Sequence, residues 1–155
     1  MSVRMIVLGI VSSVVVASLA VQAEQDPFVG TWKENRAKST YEPPANNPTP
    51  AEVKIEAAGS GYKITNAGGA TYTVSTLDGK DYPLDPATGS TTSWLRIDAN
   101  TTISFNKRKD GTIVRMQRAA ISKDGKIEQV NRIGYATDAS GKRTAYVQSV
   151  IYEKQ

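Results

Sequence analysis

Tight-turn pairs interrupt this chain wherever a helix would have to continue, and they constrain its fold more than any other feature. Gly59-Ser60, Asp78-Gly79, Ala99-Asn100, Asp110-Gly111, Asp124-Gly125 and Ser140-Gly141 separate short runs rich in β-branched and aromatic residues. Asp-Gly is a strong hairpin signal, because a type I′ turn needs positive φ at both central positions. Past the first residues, no stretch keeps a helical period. The pattern predicts strands at roughly 29–35, 52–57, 61–66, 71–77, 80–83, 92–98, 101–107, 112–121, 126–135 and 144–153. Hairpins joined without crossover helices make an antiparallel meander. An open sheet of so many short strands would leave unpaired edges, and closure removes them. The expected fold is therefore all-β, an antiparallel up-and-down β-barrel of about 8–10 strands with little helix.

One segment breaks the rhythm. Residues 41–50 carry prolines at 43, 44, 48 and 50, so they can be neither a central strand nor a helix interior. Asn35–Thr40 leaves room for a turn or two of helix before them. The Pro-rich stretch reads equally as a simplified lid over the barrel mouth or as a connector across its bottom.

The first residues read as an address. Arg4 supplies a positive start, Met5 to Ala17 is uncharged and mostly apolar, and Val21-Gln22-Ala23 offers small residues for cleavage before Glu24. The expectation is a signal peptide over 1–23, cleaved after Ala23, and one β-barrel domain over 24–155, exported to the periplasm or secreted. The apolar run is too short to span a bilayer convincingly, and the chain has no cysteine for a lipid anchor, so no membrane anchor is expected.

Composition removes several chemistries. Histidine and cysteine are both absent. That excludes Ser-His-Asp and Cys-His catalysis and the commonest neutral-pH base, and it argues against zinc or copper; no metal and no cofactor are expected. Asp78, Asp81, Asp110, Asp124 and Asp138 mostly stand in turns, where Asp has local hydrogen-bonding reasons to be. Gly59-Ser60-Gly61 has no helix after it to bind phosphate and reads as a hairpin tip. The chain is thus not expected to be an enzyme. The net charge is +4, with Arg4 in the leader, and Lys107-Arg108-Lys109 is the only basic run. It lies at a turn tip, so no nucleic-acid partner is expected.

Two-residue turns at the last four tips would set the strand register, and directly paired residues share a face. One face then collects Trp94, Arg96, Ile103, Phe105, Val114 and Met116, followed by Arg118, Ile127, Asn131, Ile133 and Tyr135, and finally Tyr146, Gln148, Val150 and Tyr152. All aromatics of these five strands fall there, which makes it the expected interior. Leu95, Ile97, Ile113 and Val130 would lie outside. On the inner face Arg96 and Arg118 stand two strands apart, about 10 Å, close enough to converge on one anion. Each could equally meet water, Asp98 or a backbone carbonyl.

Phe28-Val29-Gly30-Thr31-Trp32-Lys33 resembles the opening strand of the calycins, the superfamily of lipocalins and intracellular fatty-acid-binding proteins. The resemblance implies a small barrel holding an apolar ligand, with Gly30 and Trp32 closing its base and a basic side chain stacked on the indole. The C-terminal Val150-Ile151-Tyr152-Glu153-Lys154 is similar to the last strand of the fatty-acid-binding proteins, whose Arg-x-Tyr motif holds a ligand carboxylate. Tyr152 matches the tyrosine, but Val150 replaces the arginine, so that clamp is incomplete. The family's further inward arginine lies on the third strand from the end, where Arg118 stands. The leader and the missing lid helices depart from the intracellular branch and suit an exported lipocalin-like protein.

The leading expectation is non-catalytic binding of a small apolar or amphipathic ligand, a carboxylate-bearing lipid among them, inside a monomeric barrel. Arg96, Phe105, Met116, Arg118, Asn131, Tyr135, Tyr146, Gln148 and Tyr152 are the candidate ligand-binding residues. The alternative is a structural or protein-interaction barrel with a filled interior and no small ligand.

Overall fold

The computed structural model describes residues 26–43, 49–74 and 76–155. The expected leader and the middle of the Pro-rich stretch lie outside them. The chain forms β1 (Gly30–Glu34), a single 3₁₀ turn (Arg36–Lys38), β2 (Thr40–Glu42), β3 (Glu52–Ala58), β4 (Gly61–Asn66) and β5 (Thr71–Val74). It continues through β6 (Asp78–Asp85), β7 (Ser90–Asp98), β8 (Thr101–Lys107), β9 (Ile113–Ile121), β10 (Ile127–Thr137) and β11 (Arg143–Lys154). The expected all-β antiparallel meander is what forms, and the 3₁₀ turn is its only helical element among the described residues.

The strands run β5-β4-β3-β1-β11-β10-β9-β8-β7-β6 in one antiparallel sheet, and β2 adds to β11. First and last strands pair directly, Trp32 opposite Lys154, in the middle of the wall. The two edge strands, β5 and β6, are consecutive in the chain. Their linker ties both sides together: Thr76 bridges Ser60 beside β4, and the Leu77 carbonyl accepts from the Arg96 N–H of β7 at 3.0 Å. The sheet therefore curls around a core that includes Phe28, Trp32, Ile55, Ile64, Val130 and Val150.

Trp32 closes the base. It is 0% exposed, its indole N–H donates to the Phe28 carbonyl at 2.9 Å, and the Lys154 ammonium lies 5.0 Å from the ring centroid. Gly30 makes the stacking possible. Its φ is +148°, and a Cβ there would fall 2.6 Å from the Lys154 stem. Lys154 is the cation stacked on the indole.

Two of the register differences from the expectation decide which face looks inward. Between β7 and β8 the tip pairs as expected, Asp98 with Thr101, but Ile97 bulges and Arg96 then faces Thr102. Between β10 and β11 the turn is wider than two residues. The Asp138 N–H donates to the Lys142 carbonyl and the Gly141 N–H to the Asp138 carbonyl, while the Asp138 carboxylate accepts from the Ser140 and Lys142 amides. Thr137 therefore pairs with Arg143, one residue off. The β9–β10 ladder keeps the expected register, and so does β8–β9 as far as Asn106–Arg115, shifting only at its Lys107–Ile113 end; Arg118 lies between Ile103 and Asn131.

A one-residue slip reverses every side chain, so two slips reverse the block between them. Trp94, Arg96, Tyr146, Gln148, Val150 and Tyr152 point inward as expected. Ile103, Phe105, Val114, Met116 and Arg118 point outward instead, and so do Ile127, Asn131, Ile133 and Tyr135. Exposure agrees: 44% for Met116, 49% for Ile133 and 54% for Tyr135, against 2% for Val130, which moves inside. Asp78-Gly79 is also no hairpin. It opens β6 as an irregularity, with the Lys80 amide bonded to the Asp78 carboxylate.

Candidate functional site

The inward residues stack in rows across the wall. Ile121, Glu128, Tyr152 and Glu34 form the lowest row, then Thr102, Ala119, Val130 and Val150. Above them run Trp94, Ser104, Gln117, Arg132, Gln148 and Tyr41, then Thr92, Asn106, Arg115, Gly134 and Tyr146. These rows surround a cavity of about 390 Å³, completed by Phe28, Val53, Ile55 and Ile64 on the opposite wall. One side is apolar and the β9–β11 side is hydrogen-bonding and cationic.

Arg115 and Arg132 both line this cavity. Arg132 is directly opposite Gln117, and Arg115 is two residues from Gln117 on β9. Such diagonal positions are about 7–8 Å apart, within mutual reach of two guanidinium groups. Arg132 Nε donates to Gln117 Oε1 at 2.7 Å, which orients its fork. Arg115 makes no hydrogen bond or ion pair among the described residues. Burial, and then the Arg132 charge, hold its guanidinium below the usual arginine range, with Tyr146 and Tyr72 opposing. Among the described residues the one carboxylate in the lining is Glu128, which burial pushes up to about 7 while Arg132 pulls it back. Two arginines against one partly protonated carboxyl leave the cavity positive.

Local sequence explains the placement. Gly134 sits directly opposite Tyr146. A Cβ there would lie 2.8 Å from the Tyr146 hydroxyl and 2.6 Å from the Val114 carbonyl. The missing side chain lets the phenol fold across β10 beside Arg115. Tyr152 is 1% exposed and donates to the Pro50 carbonyl at 3.2 Å. Thr49 and Pro50 line the cavity, so the end of the Pro-rich stretch forms part of its wall. Tyr41 braces that wall, bonding the Glu34 carboxylate and meeting Thr49 Oγ1 at 3.2 Å, while Arg36 pairs with Glu34 at 3.2 Å.

No protein-family model matches the chain, and no curated protein is significantly similar to it. The candidate site thus stands on its own geometry.

The candidate ligand-binding residues divide into three groups. Tyr146, Gln148 and Tyr152 line the cavity. Arg96 faces inward but lies at the base, engaged elsewhere: Nη2 meets Asp26 Oδ2 at 2.5 Å, Nη1 donates to the Ala99 carbonyl at 3.0 Å, and the guanidinium covers Phe28 and Tyr62. Burial pushes the Asp26 carboxyl up, but bonds from Tyr62 and Arg96 outweigh it and hold the group below its ordinary range. Phe105, Met116, Arg118, Asn131 and Tyr135 lie on the outer face and do not reach the cavity. On the third strand from the end, the inward arginine is Arg115.

Arg115, Gln117, Glu128 and Arg132 are polar cavity residues that a two-residue-turn register turns to the outside. A usable signal existed in Gly134. A glycine inside a strand marks close approach of a neighbour, and placing it under Tyr146 would have set the β10–β11 register.

Proposed function

We propose that this barrel binds a small amphipathic acid without chemical turnover. Its anionic head meets Arg115 and Arg132, and its apolar body lies against Phe28, Ile55, Ile64, Ala119 and Val130. The observation that carries this reading is Arg115, a largely buried cation in the cavity wall with no hydrogen-bonded or ionic partner among the described residues. A buried charge is costly unless paired, and a ligand carboxylate is the complementary partner. About 390 Å³ lies in the range of small-molecule sites. Trp32 beneath Lys154 supports the calycin resemblance, and export through the leader 1–23 would place the barrel in the periplasm or outside the cell. Calorimetric titration of dodecanoic acid and its methyl ester tests the reading. The acid should bind at least about tenfold more tightly; equal affinities would remove the anion site.

The outer face favours a second reading. Phe105, Met116, Ile133 and Val147 pair in one row across β8–β11, with Val147 55% exposed. An apolar stripe of this kind suits contact with a protein partner. The two readings separate by sedimentation and titration: a barrel whose role is only the stripe would self-associate or bind protein, and would take up no acid.

A further inference from the structure

The anion site leaves Glu128 unexplained. Its side chain enters the cavity from β10 and is 6% exposed, in the row between Ile121 and Tyr152. It makes no hydrogen bond or ion pair among the described residues. The neighbouring Tyr152 hydroxyl already donates to Pro50. A buried carboxyl without a bonded partner destabilises the fold, and a packed leucine would do better there. Arg132 is the nearest cation on the same face; it starts four residues along the strand, about 13 Å by backbone rise, and its charge reaches Glu128 without a hydrogen bond or ion pair between them. The cavity therefore has two polar poles, arginine above and carboxyl below, with Val130 and Ala119 between them.

We propose that Glu128 receives a hydroxyl at the far end of the ligand, so that the barrel selects medium-chain acids bearing a terminal hydroxyl over plain fatty acids. This rests on the anionic head lying at Arg115 and Arg132. A hydroxyl both donates and accepts, so it satisfies Glu128 whether ionised or protonated. An ammonium would suit the ionised form alone. A methyl terminus satisfies neither, and it would bury the carboxyl more deeply. Sites built to bond a hydroxyl reject analogues lacking it, because the site's own polar group is left unpaired.

Calorimetric titration of ω-hydroxydodecanoic acid and dodecanoic acid into the full mature chain decides the matter without any variant. The hydroxy acid should bind about tenfold or more tightly. In Glu128→Leu, the order should reverse. Equal or weaker binding of the hydroxy acid by the natural chain would overturn the assignment, as would an unchanged preference in Glu128→Leu. Tighter binding of ω-aminododecanoic acid than of the hydroxy acid would overturn it in favour of an ion pair. Arg132→Gln separates the two poles. If it weakens both acids while the hydroxyl adds nothing, the head site stands and the Glu128 role falls. If neither acid binds the natural chain, both fall together.

Discussion

Gly134 lies directly under the phenol of Tyr146, and nothing larger than hydrogen fits between them. The contact locks β10 against β11 in the register that brings Arg132 inside. Gly134→Ala should destabilise the fold by about 1–3 kcal/mol, since the added methyl meets a backbone carbonyl as well as the ring. Chemical denaturation measures it, and an unchanged midpoint would mean that Tyr146 does not cover this strand.

Most of the fold was legible from turn chemistry, and most of the site was not. Most hairpin tips act through local backbone geometry, which sequence reports well, although Asp78-Gly79 opens a strand instead. Facing depends on loop length to within one residue. The Ile97 bulge and the loop capped by Asp138 are each one residue from the simplest turn. The interior is also partly polar, with Ser104, Gln117, Arg132 and Gln148 in one row, while Phe105, Met116 and Ile133 lie outside. Assigning the aromatic-rich face to the core therefore chose the wrong side for β8–β10.

Trp32 anchors the base through three kinds of contact: complete burial, the bond to the Phe28 carbonyl and the Lys154 cation. Trp32→Ala should cost about 3–5 kcal/mol. Lys154→Ala should cost about 0.5–2 kcal/mol, depending on how dry the stacked ammonium is. A loss under about half a kcal/mol for the tryptophan, the size of a surface effect, would make it peripheral.

Glu128 should give stability an unusual pH slope. Its carboxyl is raised from 4.5 to about 7 by burial, opposed by Arg132, so between these values the folded chain holds a proton that the unfolded chain has released. Stability from this group is full below the unfolded value and falls as pH rises, by about 3 kcal/mol in total. Tyr152 and Tyr72, which also sense it, are held above the ordinary tyrosine range by burial and stay neutral in that window. Glu128→Gln should remove the slope, and denaturation midpoints of both proteins across the acid-to-neutral range measure it. Parallel curves would place Glu128 in water.

In the proposed binding mode Arg115 and Arg132, rather than Arg118 between them in sequence, face the ligand. Titration of dodecanoic acid and its methyl ester into Arg115→Gln, Arg132→Gln and Arg118→Gln tests it most directly. The first two should weaken the acid about ten- to a hundredfold and leave the ester nearly unchanged, while Arg118→Gln should alter neither. Loss of acid binding in Arg118→Gln, with Arg115→Gln and Arg132→Gln unaffected, would contradict it.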